Sequence, residues 1–193
     1  MDAMEAIMTR RSVRKMKAEA PERALLEQVI EAGRSAPSGS NSQSTHLIVI
    51  TEKETLSVLQ EKVQAAFAKM EEGPDTYVSF RNSIRASKKG NYVFHYGAPV
   101  LIVTANKKGY GNAMADSACV LENMMIASHA LSLGSCWINQ LHWLTEDAEV
   151  RGFLETLGLG ADEFVTGGLI VGYADGAPGP KFPKKNGNPV TWA

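Results

Sequence analysis

The run Ala98-Pro99-Val100-Leu101-Ile102-Val103-Thr104 opens on the longest apolar stretch in the chain, Ala98 to Val103. It is far too short to cross a bilayer, which takes about 20 apolar residues. Residues 99 to 104 therefore read as a buried strand. Three further segments read the same way. Leu47-Ile48-Val49-Ile50 is bounded by turn-forming residues, and residues 135 to 138 and 164 to 173 complete the set. Helical spacing fills the gaps between them. Leu56, Leu59, Val63, Ala66 and Phe67 mark one helix. A long one is predicted over residues 112 to 132, with Met114, Ala118, Leu121, Met125 and Ala127 facing inward and little charge on any side. Thr145, Glu146 and Asp147 predict another helix start, ending near Gly158. Upstream, Met1, Met4, Ile7 and Met8 predict a short opening helix. Pro21 is placed as the first-turn proline of a second, with Leu25, Leu26, Val29 and Ile30 as its apolar face and Gly33 as its stop. The sum is an α+β layered domain of about four strands and five or six helices. It is expected to span residues 1–174, with residues 175–193 as a Gly-, Pro- and Lys-rich extended arm ending in Val190-Thr191-Trp192.

Composition narrows the function classes. A chain of 193 residues with 44% hydrophobic and 21% charged residues is an ordinary globular domain. The net charge of −1 argues against nucleic acid as the main partner. Cys119 and Cys136 form no Cys-x-x-Cys pair, and the four histidines are scattered, so neither a disulfide framework nor a metal site is expected. Met1-Asp2-Ala3-Met4-Glu5 lacks a basic region followed by an apolar run, so no signal peptide, no membrane association and a cytoplasmic location are expected. No glycine-rich turn follows the first strand, so a dinucleotide or P-loop reading lacks its chemistry.

Three segments can carry chemistry. Arg10-Arg11-Ser12-Val13-Arg14 offers three guanidiniums and a hydroxyl, a set able to surround a phosphate. It can equally be a basic helix end complementing its own dipole. In Ala36-Pro37-Ser38-Gly39-Ser40-Asn41-Ser42-Gln43, every side chain from Ser38 onward except Gly39 can donate or accept, while Gly39 permits close backbone approach. The plainer reading is a solvated connector. Gly134-Ser135-Cys136-Trp137-Ile138-Asn139-Gln140 takes a helix exit into a strand, where backbone N–H groups could face a ligand or simply stop the helix.

In order and spacing these segments resemble the nitroreductase family of FMN-dependent oxidoreductases. Gly97-Ala98-Pro99 before a strand and residues 168 to 173 before a basic tail extend the resemblance over nearly the whole chain. It implies a central mixed β-sheet wrapped by helices and an arm-exchanged homodimer holding FMN at the subunit interface, with NADH or NADPH as hydride donor. It further implies that Arg10, Ser12 and Arg14, with Arg11 beside them, bind the phosphate and ribityl chain. Pro37, Ser38, Gly39, Ser40, Asn41 and Gln43 would line the flavin, from the opposite subunit. Gly134, Ser135, Trp137, Ile138 and Asn139 would present N–H groups near flavin N5 and O4. Lys184, or else Lys185, would finish the phosphate site, where the family pattern has an arginine nearby. The flavin carries the redox step, so no catalytic side chain is expected.

The resemblance implies ping-pong hydride transfer to a small flat acceptor such as a nitroaromatic or quinone. Residues 73 to 96 hold five of the fourteen aromatics and four basic residues against one acid, and are expected to wall the acceptor slot, with Tyr92 and Phe94 as its lid. Two other function classes stay open. One is a flavin-binding or flavin-reducing protein without nitroreductase activity; the other is a phosphate-binding interaction module using the same arginines.

Overall fold

The computed structural model describes residues 1–176 and 187–193. Lys184 and Lys185 lie outside the described residues. Seven α-helices and four strands follow in the order α1 (Ala3–Thr9), α2 (Arg23–Arg34), β1 (His46–Ile50), α3 (Lys53–Ala68), α4 (Val78–Lys88), β2 (Val100–Lys107), α5 (Ala113–Ala130), β3 (Gly134–Ile138), α6 (Gln140–Trp143), α7 (Ala148–Thr156) and β4 (Glu163–Gly172) among the described residues.

The sheet order is β1-β2-β4-β3, and all three ladders are antiparallel. Among the described residues a parallel element enters only at the isolated bridge between Ser12 and Ser135. Strand alternation divides the core in two. Val100, Ile102, Leu169 and Val171 face Leu26 and Val29 of α2 and Val120, Leu121 and Met124 of α5. Leu101, Val103, Val165 and Ile170 face Leu59 and Phe67 of α3, Ile84 of α4, Leu141 of α6 and Leu154 of α7. Helices thus cover both faces, which is why β2 can be apolar at consecutive positions.

Several boundaries differ from the sequence expectation, each for a local reason. α2 begins at Arg23, after Pro21, and ends at Arg34, one residue past Gly33, which is buried against Met124 of α5. α7 is capped by Asp147, whose carboxylate accepts from the N–H groups of Glu149 (3.1 Å) and Val150 (3.0 Å), not by Thr145. On α5 the buried face is Ala113, Asp116, Ser117, Val120, Leu121, Met124, Met125 and Ser128, so Met114 faces outward at 43% exposure and corrects the predicted stripe. No helix among the described residues is long and apolar enough to cross a membrane.

The largest departure is residues 73 to 96, which contain α4 instead of an aperiodic wall. Three of their five aromatics, Phe80, Tyr92 and Phe94, pack inward, while Tyr77 and Tyr96 stay exposed. Phe80 and Phe67 meet edge-on at 5.6 Å, and Phe80 meets Trp143 at 5.3 Å. Three of their four basic residues pair with acids just upstream. Arg85 lies 2.8 Å and Arg81 3.4 Å from Glu72, and Lys88 lies 2.9 Å from Glu71.

His95 closes this segment, 8% exposed, with its ring 5.2 Å from that of Phe94. Burial holds its imidazole below the ordinary value, against a smaller upward pull from the backbone at Ala98 and at His95 itself. The unfolded chain therefore binds a proton more readily than the folded one. Stability from this group is full above the unfolded value of 6.5 and falls as pH drops below it. Denaturant unfolding at pH 7.5 and 5.5 should show the wild type losing stability and His95→Gln losing less. His129 is shifted the same way and keeps part of the slope in the variant.

Candidate functional site

Arg10 ends α1 in an extended conformation, and the chain then runs along the sheet end. Val13 N–H donates to the Ser135 carbonyl (2.9 Å) and Lys17 N–H to the Tyr173 carbonyl (2.8 Å). Val13 packs on Gly134 so closely that a Cβ there would come within 2.9 Å of Val13 Cγ1. This zipper fixes Arg11, Ser12 and Arg14 beside the start of β3. They line a cavity of about 420 Å³ together with His129, Ser132 and Gly134. Asp175 also borders it, paired with Lys15 at 2.9 Å. Two guanidiniums, a hydroxyl and an imidazole at one end form a donor set suited to an anion. Arg10 does not line the cavity; its Nε sits 3.3 Å from Glu122 of α5.

His129 was not singled out by the sequence, because a scattered histidine carries no spacing signal. Its Nε2 lies 2.8 Å from the Thr9 hydroxyl. Burial, and then the charges of Arg11 and Arg10, hold its imidazole below the ordinary value. Tyr96 also enters here: the Arg14 guanidinium lies 5.9 Å above its ring.

Residues 38 to 43 form a separate feature around a short 3-10 turn, Gly39–Asn41. Ser40, Asn41 and Gln43 take φ of 51°, 54° and 49°, the left-handed region that side-chain-bearing residues rarely adopt. The Gln43 N–H donates to Ser38 Oγ at 3.0 Å. Ser40, Asn41, Ser42, Gln43 and Pro37 are exposed, and Ser38 and Gly39 are half-buried. Ser38 and Gln43 line a second, smaller cavity of about 200 Å³ with Arg34 and Val120.

These features flank α5. The 38–43 loop is tied to Asp116 in its first turn, while the cationic cavity is bordered by His129 in its last. Thirteen residues at 1.5 Å each separate those ends by about 20 Å. The structure therefore brings Arg11, Ser12, Arg14 and Gly134 together but not the 38–43 loop with them inside one protomer.

On β3, Gly134, Ser135 and Ile138 are buried, and Trp137 and Asn139 are half-buried. Trp137 Nε1–H donates to Asn139 Oδ1 at 2.7 Å, fixing that amide. Phe94 is corrected as a lid residue. It is 1% exposed inside the core, and its N–H donates to Gln60 Oε1 at 3.0 Å. Tyr92 is half-buried, its hydroxyl 2.7 Å from Ser83 Oγ and 2.8 Å from Gln140 Nε2.

Comparison with known proteins gives a consistent pattern. A model of the Nitroreductase family matches residues 7–173. A crystal structure of a nitroreductase with bound FMN from Bacteroides fragilis is 32% identical, covers 100% of both chains and superposes with a TM-score of 0.88. A protein of Methanothermobacter thermautotrophicus, named for NADH dehydrogenase and NAD(P)H nitroreductase activity, is 28% identical over 138 residues, 71% of this chain. The match spans 60% of that relative's own length. A Haemophilus influenzae protein named for NAD(P)H nitroreductase activity is 27% identical over 139 residues, covering 72% of this chain and 73% of its own. The sheet covered on both faces, the full-length superposition and the family match over residues 7–173 place this protein in the Nitroreductase family.

Proposed function

We propose that this protein is an FMN-dependent NAD(P)H oxidoreductase acting as a homodimer, with each flavin held between two copies. The observation that carries the reading is the donor-rich end of the 420 Å³ cavity at Arg11, Ser12 and Arg14. A doubly charged phosphate monoester needs several donors and little competing acid, and these residues supply them. Lys184, or else Lys185, stays part of the proposed phosphate site. When bound, FMN supplies the redox chemistry, taking a hydride at N5 and passing it on.

The need for a second copy follows from α5. Its two ends carry the two half-sites about 20 Å apart, and its outer face is apolar and exposed at Met114, Ala115 and Cys119. α1 packs beside it and exposes Met4 and Ile7. A patch of this kind suits self-association. A two-fold axis across α5 sets two such helices antiparallel, bringing the 38–43 loop of one copy beside the cationic cavity of the other. Val190 and Trp192 are 74% and 93% exposed, and the edge strand β1 borders a groove of about 440 Å³ with Leu26, Ile30 and Val49. The arm of the second copy fits there, covering an unpaired sheet edge.

Within that dimer, Arg11, Ser12, Arg14 and His129 hold the phosphate, with Arg10 stabilising α5 through Glu122. The loop from Pro37 to Gln43 borders the ring. Residues Gly134 to Asn139 form the other wall, with the Asn139 amide oriented by Trp137. One open ring face serves donor and acceptor in turn, so kinetics are ping-pong and a flat acceptor such as a nitroaromatic or quinone is favoured.

The visible spectrum tests this directly. Purified protein should carry flavin bands that bleach on anaerobic addition of NADH or NADPH and return with a quinone. Colourless protein that takes up no FMN would overturn the reading. Yellow protein that neither nicotinamide bleaches would leave a flavin carrier.

A further inference from the structure

Asp116 is a buried carboxylate beside the proposed flavin site, 6% exposed, with no Lys or Arg paired to it among the described residues. Its partners are instead three uncharged donors. Oδ1 accepts from Gly39 N–H at 3.0 Å, and Oδ2 accepts from the Tyr110 hydroxyl at 2.8 Å and from Ser42 Oγ at 3.2 Å. Tyr110 Oη also sits 3.1 Å from Ser42 Oγ and 3.3 Å from the Gly39 carbonyl. Two of the three donors belong to the 38–43 loop, and the third touches it.

That loop needs holding. Left-handed backbone is costly at residues with a Cβ, and Ser40, Asn41 and Gln43 all adopt it within four positions. The loop's exposed side chains make few contacts that would compensate. Gly39 lies close against the side chains leading into α5: a Cβ there would come within 2.2 Å of Asn112 Nδ2 and 2.8 Å of the Tyr110 hydroxyl. The small residue at this position lets the backbone N–H of Gly39 reach the carboxylate at 3.0 Å. Burial alone would raise the Asp116 carboxyl, and the bonds from Gly39, Tyr110 and Ser42 outweigh it and hold the group ionised.

We propose that Asp116 is a positioning residue for the flavin ring, clamping the 38–43 loop in its left-handed form so that Ser38, Ser40 and Asn41 are presented in fixed geometry. The proposal rests on the FMN reading above. It adds a separation of tasks: Arg11, Ser12 and Arg14 govern the phosphate, and Asp116, through the loop, governs the ring.

Riboflavin, which has the ring but no phosphate, separates the two. Apoproteins of the wild type, Asp116→Ala, Asp116→Asn and Tyr110→Phe are titrated with FMN and with riboflavin, following flavin fluorescence. Circular dichroism and thermal melting of each apoprotein check folding. Asp116→Ala should weaken both ligands by the same factor, about tenfold or more, leaving the FMN-to-riboflavin ratio unchanged. Asp116→Asn keeps an acceptor for Gly39 N–H while its amide donates to the two hydroxyls, and should recover part of the loss. Tyr110→Phe should give a smaller loss of the same kind.

Folded Asp116→Ala and Asp116→Asn with wild-type affinity for both ligands would overturn the proposal and leave the FMN reading intact. A loss confined to FMN would overturn it too, by assigning Asp116 to the phosphate. If Asp116→Ala does not fold, the Asn and Phe variants decide. Wild-type protein that binds neither ligand would overturn the FMN reading and this proposal together.

Discussion

Arg14→Ala lowers FMN affinity by about 10- to 100-fold while leaving riboflavin binding nearly unchanged, because truncating one charge-assisted hydrogen bond costs about 1.5–3 kcal/mol. The residue is placed for this task. Its guanidinium stacks over Tyr96 at 5.9 Å, and no carboxylate pairs with it among the described residues. The ring fixes the side chain's direction and leaves its planar fork free for a phosphate. Arg14→Lys should recover only part of the loss, since an ammonium keeps the charge but not the bidentate fork. Equal losses for FMN and riboflavin would count against the phosphate assignment. A mixed dimer extends the test: one copy carries Arg14→Ala and the other Asn41→Ala. If the 38–43 loop serves the neighbouring copy, one of the two sites holds both changes and the other holds neither. Half of the sites then bind FMN with native affinity. A loop serving its own copy would leave no native site.

Phe94→Ala should cost about 3–5 kcal/mol of stability, the usual range for emptying a fully buried aromatic position. At about 2–4 °C per kcal/mol for a chain of this size, the melting temperature falls by roughly 6–20 °C. Phe94 is 1% exposed in the cluster that also holds Phe67, Leu59 and Ile84, and its backbone N–H is tied to Gln60 of α3. At a temperature where the variant stays folded, its kinetics should be close to wild type. Unchanged stability with an altered KM for the acceptor would restore Phe94 to the wall of the slot. Tyr96, 44% exposed, is the aromatic of this segment that touches Arg14.

The two readings of residues 73 to 96 differ for a reason that local sequence could not supply. A five-aromatic, basic segment resembles a substrate wall when counted by itself. Glu71 and Glu72 stand just outside the counted window; Glu71 pairs with Lys88, and Glu72 is shared by Arg81 and Arg85. The helix α4 was hidden because its buried side includes Ser83 and Ser87, small polar residues that blur an apolar period. Gly33 does stand at the end of its helix, one residue before Arg34, but its packing against Met124 could not be read locally.

Sequence by itself determined the strands, four of the longer helices, the neutral charge that disfavours nucleic acid, and the residue types of both half-sites. Each of these is a local property: apolar runs and periods follow from burying side chains on a strand or helix, and donor chemistry belongs to the residue. Only the tertiary structure decided which of those residues meet. The zipper of residues 13 to 17 onto the sheet end gathers Arg11, Ser12 and Arg14 with His129, a residue without sequence signal. The length of α5 holds the 38–43 loop about 20 Å away, and Asp116 fixes that loop's shape from a position 74 residues beyond Ser42. Contacts at such separation depend on how whole layers pack, and no spacing within a single segment encodes them.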